Sequence, residues 1–208
     1  MVQHEYSLVG GVNRAQIGRY IGIAAATISA GIVFLLLSFV DLARSLNIPV
    51  SLPPSVLSLA GAGTVFAILY WLFERYVWRW SAIRKLLKVP DLAGHWKCSG
   101  KTLDSSGNVT YTWDATVTIL QSWDKIRVRL VTAQSGSNSI SAALFYDDIE
   151  GYHLLYNYRN DPNVGETALA SHVGFSSMIF SKEQNLAVGD YFNGHGRFTF
   201  GTMNWEKT

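Results

Sequence analysis

The feature that most constrains this chain is an uncharged apolar run near its N-terminus. From Tyr20 to Val40 the sequence YIGIAAATISAGIVFLLLSFV contains no charged side chain. About 20 such residues are enough to cross the hydrocarbon core of a bilayer as a helix. The run follows a polar segment that contains Glu5, Arg14 and Arg19, and it is about twice as long as the apolar core of a usual signal peptide. The sequence therefore predicts a retained transmembrane helix.

A second uncharged run, VLSLAGAGTVFAILYWLF, extends from Val56 to Phe73 and is just long enough to span the membrane. Residues 41–55 between the two runs contain three prolines and suit a tight connection. Aromatic residues typical of a membrane interface lie at the end of the second run, at Tyr70, Trp71, Trp78 and Trp80. The sequence predicts a hairpin of two transmembrane helices.

The connection carries one acidic and one basic residue, and the other basic residues cluster outside it. By the positive-inside rule this cluster predicts that both ends of the chain face the cytoplasm. Its residues are Arg14, Arg19, Arg75, Arg79, Arg84, Lys85 and Lys88. Small residues in each run, Gly22, Ala26 and Ala30 in the first and Gly63 and Ala67 in the second, would let helices approach closely. Such a face can bring together the two helices of one hairpin or helices from separate copies of the chain.

The charge balance differs between the two parts of the chain. Residues 1–90 hold eight Lys and Arg against three Asp and Glu, whereas residues 91–208 hold nine against twelve. The basic part can meet anionic lipid head groups, while a mildly acidic second part is a poor binder of duplex nucleic acid. Cys98 is the chain's single cysteine, which excludes an internal disulfide.

From residue 91 the hydrophobic pattern alternates and turn residues recur every eight to twelve positions, which is typical of short antiparallel strands. We therefore predict a membrane hairpin in residues 1–90 and an eight-stranded up-and-down antiparallel β-barrel, lipocalin-like, in residues 91–208. The predicted strands are 94–102, 109–120, 125–133, 139–147, 152–159, 168–180, 186–192 and 197–205.

The stretch YNYRN, residues 156–160, raises the question of what the barrel encloses. On a strand Tyr156 and Tyr158 project to one side, and Asn157 and Arg159 to the other. An eight-stranded barrel is either filled by its own side chains or just wide enough for one small ligand. Polar residues interrupt the following strands at His172, Ser176, Asp190, Asn193 and Arg197. Burying such polar side chains without hydrogen-bond partners is costly, so their presence favours a strand face that meets water or a ligand.

Motifs for catalysis or metal binding are missing from the sequence. The five histidines have no HxH or HxxxH spacing, and no second thiol accompanies Cys98. The acidic residues Asp147, Asp148 and Glu150 sit beside Gly151 in a predicted turn. We predict a non-enzyme with no catalytic residues, no metal and no cofactor.

Several motifs in the second part are similar to those of a known family. They are the L-x-G-x-W opening of Leu92, Gly94 and Trp96, Y-x-Y-x-N-x-P at Tyr156, Tyr158, Asn160 and Pro162, H-x-G at His172 and Gly174, and G-x-Y-F-N from Gly189 to Asn193, followed by Gly201. With the two apolar runs, these motifs resemble the two-transmembrane, β-strand-rich effectors of bacterial CBASS anti-phage systems over essentially the whole chain.

The resemblance implies a receptor in the bacterial inner membrane. A partner nucleotidyltransferase of the CD-NTase class makes a cyclic dinucleotide, the cytosolic barrel binds it, and the chain forms homo-oligomers that disrupt the lipid bilayer and abort infection. Tyr and Trp rings can stack on bases, Arg can contact phosphate, and Asn or His can read base edges. The residues expected to bind the ligand are Tyr156, Tyr158, Asn160, His172, Tyr191, Asn193, Arg197 and Trp96.

Two other functions are compatible with the same predicted fold. One is a membrane-tethered, lipocalin-like carrier or sensor of an apolar small molecule, which would need a mostly aliphatic cavity wall. The other is an assembly protein whose barrel is filled and binds nothing. A hollow interior with polar lining separates the receptor from both alternatives.

Overall fold

The computed structural model of the chain describes residues 3–167 and 169–208. It forms two compact units, of which one is Val12–Trp78 and the other combines the segment ending at Gly11 with Arg79–Thr208. These units divide the chain differently from the predicted boundary at residues 90 and 91. The difference arises because the barrel unit includes both an N-terminal segment and the residues that immediately precede the predicted barrel.

Helix α1 (Arg14–Ser45) dominates the smaller unit. The side chain of Asn13 caps its start by accepting a hydrogen bond of 2.8 Å from the backbone N–H of Ala15. With a rise of 1.5 Å per residue, a helix of this length extends about 48 Å. In the described part of the chain it is the one helix long and apolar enough to cross a membrane on its own.

The second apolar run forms two helices, α2 (Pro54–Leu59) and α3 (Ala62–Arg75), instead of the continuous helix that the sequence predicts. The interruption falls at Gly61, whose backbone is extended and where a side chain would lie 2.9 Å from the carbonyl oxygen of Ser58. The hydroxyl of Ser29 in α1 donates a hydrogen bond to the Ala60 carbonyl. This bond satisfies a backbone group at the interruption, so the broken helix can remain in an apolar environment.

Within the described residues the larger unit contains nine strands, one more than the sequence predicts. It also contains the short helix α4 (Ser81–Leu87), which follows a 3₁₀ turn at Val77–Arg79. The predicted strand at 168–180 begins at a residue outside the described ones, and in the structure the strand starts at residue 172, so residues 169–171 precede it. The strands are β1 (His4–Val9), β2 (Gly94–Leu103), β3 (Val109–Gln121), β4 (Lys125–Val131), β5 (Ser135–Asp147), β6 (Gly151–Pro162), β7 (His172–Phe180), β8 (Leu186–Asn193) and β9 (Phe200–Lys207).

Strands β2 to β9 pair in chain order, each antiparallel to the next, and β9 pairs with β2. The sheet therefore closes into a barrel. Closure leaves no exposed edge among these strands, which removes the usual route to edge-to-edge aggregation.

Strand β1 is the element that the sequence analysis missed. It fills a gap between β4 and β5, which pair directly only at Arg129–Val131 with Gly136–Asn138. Its first residues are antiparallel to β4, and from Tyr6 it runs parallel to β5. The Tyr6 hydroxyl donates a hydrogen bond of 3.0 Å to the Trp123 carbonyl, and the Tyr6 side chain is buried. The first residues of the chain thus complete the wall of a barrel that lies mostly in its second half.

One end of the barrel interior is filled by aromatic side chains, and we call it the closed end. Trp96, Phe180 and Trp205 contact one another there with ring centroids 5.4 to 6.4 Å apart. The indole N–H of Trp96 donates to the carbonyl of Leu92 at 3.1 Å, so its polar atom is satisfied despite full burial. The opposite end, which we call the open end, holds a cavity.

Near the closed end lie the two residues of the barrel unit that adjoin Val12–Trp78 in the sequence, Gly11 and Arg79. Gly11 lies against the carbonyl of Leu87, and Arg79 donates a hydrogen bond of 3.1 Å to the carbonyl of Gln121, the last residue of β3.

Candidate functional site

The open end of the barrel encloses a cavity of about 570 Å³. Pockets for small molecules in proteins usually measure roughly 300–1,000 Å³, so this one is large enough for a substantial ligand. Seven of the eight residues that the sequence analysis selected line it, namely Tyr156, Tyr158, Asn160, His172, Tyr191, Asn193 and Arg197. The barrel is hollow at this end, unlike the filled barrel of the assembly-protein alternative.

Trp96, the eighth selected residue, does not line the cavity. Its side chain is fully buried among the aromatic rings at the closed end. The expectation that it contacts a ligand is therefore wrong in this structure. Alternation along a strand correctly put its side chain inside the barrel, but alternation contains no information about depth along the barrel axis.

The tyrosines are held by hydrogen bonds to other residues of the cavity wall. The Tyr158 hydroxyl donates to Asn193 Oδ1 at 2.8 Å, and Asn193 Nδ2 donates to Thr199 Oγ1 at 2.8 Å. The Tyr191 hydroxyl and Thr102 Oγ1 are 2.8 Å apart. Because these rings are buried and their hydroxyls have partners, the hydrogen bonds fix the orientation of the tyrosines in the wall.

Burial keeps the phenols neutral. It raises the pKa of Tyr156 above its ordinary value, and it does the same for Tyr158. The neighbouring Tyr191 further raises the pKa of Tyr158, and Arg197 opposes the shift. Neutral hydroxyls donate hydrogen bonds and do not repel an anion, so the tyrosines are compatible with a phosphate-containing ligand.

Arg197 is the only Lys or Arg among the described residues that line the cavity. It follows Gly196, which has a φ of +97° and where a side chain would lie 2.6 Å from the Ser171 carbonyl. Glycine therefore allows this loop to lie close to the loop before β7 and brings Arg197 to the cavity. Asp114 also lines the wall, so the lining carries one base and one acid. A ligand with two negative charges must therefore be attracted by hydrogen-bond donors within the cavity and not by a broad positive field. The excess of acidic residues in the second part of the chain predicts the same.

Trp113 is a cavity residue that the sequence analysis did not select. Its ring packs edge-on against Tyr191 with centroids 5.6 Å apart. It lies opposite Gly100 on β2, where any side chain would collide with the indole. Gly174 makes room in the same way for the Tyr158 ring. The apolar face of β3, with Trp113 on it, was the signal that could have found this residue.

Asn157 and Arg159 point away from the cavity, as the alternation in YNYRN predicts. Both side chains are exposed. Asn157 Nδ2 donates to Ser141 Oγ at 3.2 Å, and Arg159 Nε lies 3.2 Å from Asp161 Oδ1. They offer matched surface controls for the inward residues between them.

The next feature is the placement of side chains that could bind a metal ion. No group of three or more His, Cys, Asp or Glu in residues 3–167 and 169–208 is placed to hold a metal ion. The Cys98 thiol is buried near the closed end, and burial raises its pKa to about 12. A protonated, enclosed thiol is a poor nucleophile and a poor ligand.

Comparison with known proteins gives matches along nearly the whole chain. Residues 15–79 match the family model described as Cap15, TM helices, and residues 87–207 match the one described as Cap15, cyclic dinucleotide receptor domain. The CD-NTase-associated protein 15 of Yersinia aleksiciae is 43% identical over 203 residues, which cover 98% of this chain and 96% of that protein.

Proposed function

The chain belongs to the Cap15 family of CBASS-associated membrane effectors, and on that premise we propose that its barrel binds a cyclic dinucleotide inside the open-end cavity. Binding then drives assembly of the chain in the bacterial inner membrane and disrupts the bilayer. The family match agrees with the resemblance seen in the sequence. The names of the matched domain and relative describe a receptor associated with a CD-NTase and name no catalytic domain.

The observation that carries the proposal is the cavity of about 570 Å³ and the chemistry of its wall. Tyr and Trp rings supply faces for stacking on bases, worth roughly 1–3 kcal/mol per base, and Arg197 supplies a phosphate donor. Aliphatic residues are a minority of the lining, which disfavours a lipocalin-like carrier of apolar molecules.

We propose two membrane crossings, and the pairing of β1 supports them. Strand β1 precedes Val12–Trp78, and β2 to β9 follow it, yet all nine strands form one sheet. Parts of one sheet lie on one side of a membrane, so the segment between them must cross an even number of times. If α1 crosses once, the broken pair α2 and α3 returns the chain. The Ser29 hydrogen bond to Ala60 supports this crossing because it satisfies a backbone group at the interruption.

The orientation follows from the flanking charges. Arg14 and Arg19 precede the apolar part of α1, and Arg75 and Arg79 lie at and beyond the end of α3. The positive-inside rule places these residues in the cytoplasm, where a CD-NTase product is available to the barrel. The proposed domains are therefore a membrane hairpin and a cytosolic receptor barrel.

Assembly is proposed through the faces of small residues on the hairpin. The side chains of α1 that are buried within its unit include Ala25 and Ser29, whereas Ala26 and Ala30 are exposed. In α3, Gly63 and Ala67 are exposed as well. These surfaces are available for close helix contacts between copies. A ligand can promote assembly only if it binds the assembled form more tightly than the monomer.

The test uses the full chain, because a fragment starting at residue 91 would lack β1. Calorimetry in detergent micelles measures binding of cyclic di-AMP, cyclic di-GMP, cyclic UMP–AMP, cyclic di-UMP and the fatty acid palmitate. Dye leakage from vesicles containing the chain is then measured with the tightest ligand. We expect a cyclic dinucleotide to bind, to increase crosslinking between copies and to release dye.

Two results would contradict this proposal. Binding of palmitate and of no cyclic dinucleotide would indicate the apolar carrier, and a chain that stays monomeric and leaves vesicles intact at saturating ligand would refute ligand-driven assembly. The variant Arg159→Ala is the control, because this side chain is exposed on the outer face. The variant should bind ligand and release dye from vesicles as the unaltered chain does.

A further inference from the structure

Two side chains that carry hydrogen-bond acceptors line the cavity at one place in its wall. Asn160 on β6 and His172 on β7 are directly opposite each other in the sheet. Both side chains are more than nine-tenths buried, with 8% and 7% of their surfaces exposed, and both line the cavity. The two side chains therefore border the same small region of the interior.

The amide of Asn160 is only partly satisfied. Its Nδ2 donates to Ser135 Oγ at 3.1 Å, but its Oδ1 is buried and has no hydrogen-bond partner within the described residues. A buried carbonyl oxygen without a donor is costly and rare in folded proteins. An occupant of the cavity that presents an N–H or O–H at this point would remove the cost.

The ring of His172 presents a second acceptor. Its Nδ1 lies 3.0 Å from the Ala170 carbonyl oxygen, and because that oxygen can only accept, Nδ1 carries the proton. In the neutral ring Nε2 is then an acceptor, and no hydrogen bond to it occurs from any residue that the structure describes. Asn160 Oδ1 and His172 Nε2 together select a group with donors and disfavour phosphate oxygens, which only accept.

Among nucleobase groups, an exocyclic amine fits two adjacent acceptors best. Adenine, cytosine and guanine each carry an NH₂ with two hydrogens on one nitrogen. Uracil offers a single N–H between two carbonyl oxygens, and those oxygens would face the acceptors unfavourably. We propose that Asn160 and His172 bind the exocyclic amine of one base and so exclude a cyclic dinucleotide whose bases are both uracil. This specificity rests on the proposed receptor function.

The experiment compares ligands that differ by the amine alone. The full chain in micelles is titrated with cyclic di-AMP, cyclic di-GMP, cyclic UMP–AMP and cyclic di-UMP, and the tightest amine-bearing probe is then compared with an analogue that lacks its exocyclic amines. We expect cyclic di-UMP and the analogue to bind about 10- to 100-fold more weakly, as loss of one or two buried hydrogen bonds implies.

The variant Asn160→Leu tests the residue itself. Leucine has a similar volume but no hydrogen-bond acceptor. The variant should bind the amine-bearing probe about 10-fold or more weakly, and its affinity for the analogue should be unchanged. The smaller variant Asn160→Ala serves the same purpose if the leucine alters the melting temperature. His172→Leu should show the same selective loss. Asn157→Leu, on the outer face of the same strand, is the matched control and should not change affinity.

The outcomes separate this inference from the function on which it rests. Tight binding of cyclic di-UMP would overturn the amine specificity and leave the receptor intact. Equal losses for the probe and its analogue in Asn160→Leu would show that Asn160 meets a ribose hydroxyl or supports the wall, which also overturns it. Failure of every cyclic dinucleotide to bind would remove the proposed function as well.

Discussion

The two ends of the barrel interior are built from the same strands but differ in chemistry. On β6 the inward side chains pass from Leu154 at the closed end to Tyr158 and Asn160 at the open end, and on β7 they pass from Met178 to His172. At the closed end they pack against one another, whereas at the open end they surround a cavity. Each strand thus contributes to a packed core at one end and to a cavity wall at the other.

This division has an energetic reason. Polar groups that face a cavity contribute little to folding and are costly when they lack partners, as Asn160 Oδ1 does. Large rings buried against each other contribute several kcal/mol each. A well-packed closed end therefore offsets an open end whose residues are arranged for a ligand, as is common at functional sites.

The largest effect should come from the closed end. Trp96→Ala removes a fully buried ring and should lower the free energy of unfolding by about 3–5 kcal/mol. Trp113→Ala, at the open end, removes a half-buried ring and should cost much less stability while weakening ligand binding. Thermal unfolding of the full chain in micelles measures both. Equal melting temperatures for the two variants would show that the ends do not differ as described.

The next effect should appear where a glycine makes room for a cavity ring. In Gly174→Ala the new methyl group would meet the Tyr158 ring, and the Phe192 carbonyl would lie 2.7 Å away. Overpacking of this kind typically costs 1–3 kcal/mol, and displacement of Tyr158 into the cavity should also reduce affinity. Gly136→Ala is the control, since its methyl group would have nothing closer than 3.8 Å. A normal melting temperature and affinity for Gly174→Ala would contradict the close packing.

A smaller effect, confined to binding, is expected for the single guanidinium at the cavity. Arg197→Ala should lower the affinity for a cyclic dinucleotide about 10- to 100-fold, because a hydrogen bond to a charged group contributes roughly 1.5–3 kcal/mol. Its melting temperature without ligand should change little, since the side chain has no hydrogen bond or ion pair to any residue that the structure describes. Titration calorimetry against Arg159→Ala checks the result. An unchanged affinity would mean that the phosphates bind elsewhere.

The smallest effect concerns alkaline pH. Burial raises the pKa of Cys98 from 9.0 to about 12, so the folded chain keeps a proton that the unfolded chain loses. Stability should therefore be constant below about pH 9 and fall above it, by up to about 1 kcal/mol between pH 9 and 10. Above pH 10 the raised pKa values of Tyr156 and Tyr158 add a loss of the same sign. Melting curves of Cys98→Ala should be flatter between pH 9 and 10, and an equal slope would argue against the buried thiol.

Alternation along strands accounts for what the sequence predicted well. A period of two residues assigns each side chain to the inner or outer face, so Tyr156, Tyr158 and Asn160 were grouped correctly, and Asn157 and Arg159 were put outside. The same period gives no axial position, which is why Trp96 was grouped with the cavity although it lies in the closed-end core.

Other features depend on contacts that no local pattern shows. Strand β1 is six residues long, and His4 pairs with Ile126, far away in the sequence. No turn connects the two strands, so no hairpin signal exists. The second apolar run looks continuous because Ala60 and Gly61 are as apolar as their neighbours, and its interruption depends on backbone geometry and on Ser29 from another helix.

The position of β1 also has a consequence for biosynthesis. The ribosome makes His4–Val9 first, but their partners on β4 and β5 emerge only after the apolar segments have been synthesised and delivered to the insertion machinery. Until then β1 must remain unpaired, on the side of the membrane where translation continues. A chain whose synthesis stops before β5 therefore has no closed barrel, although its apolar segments are already made.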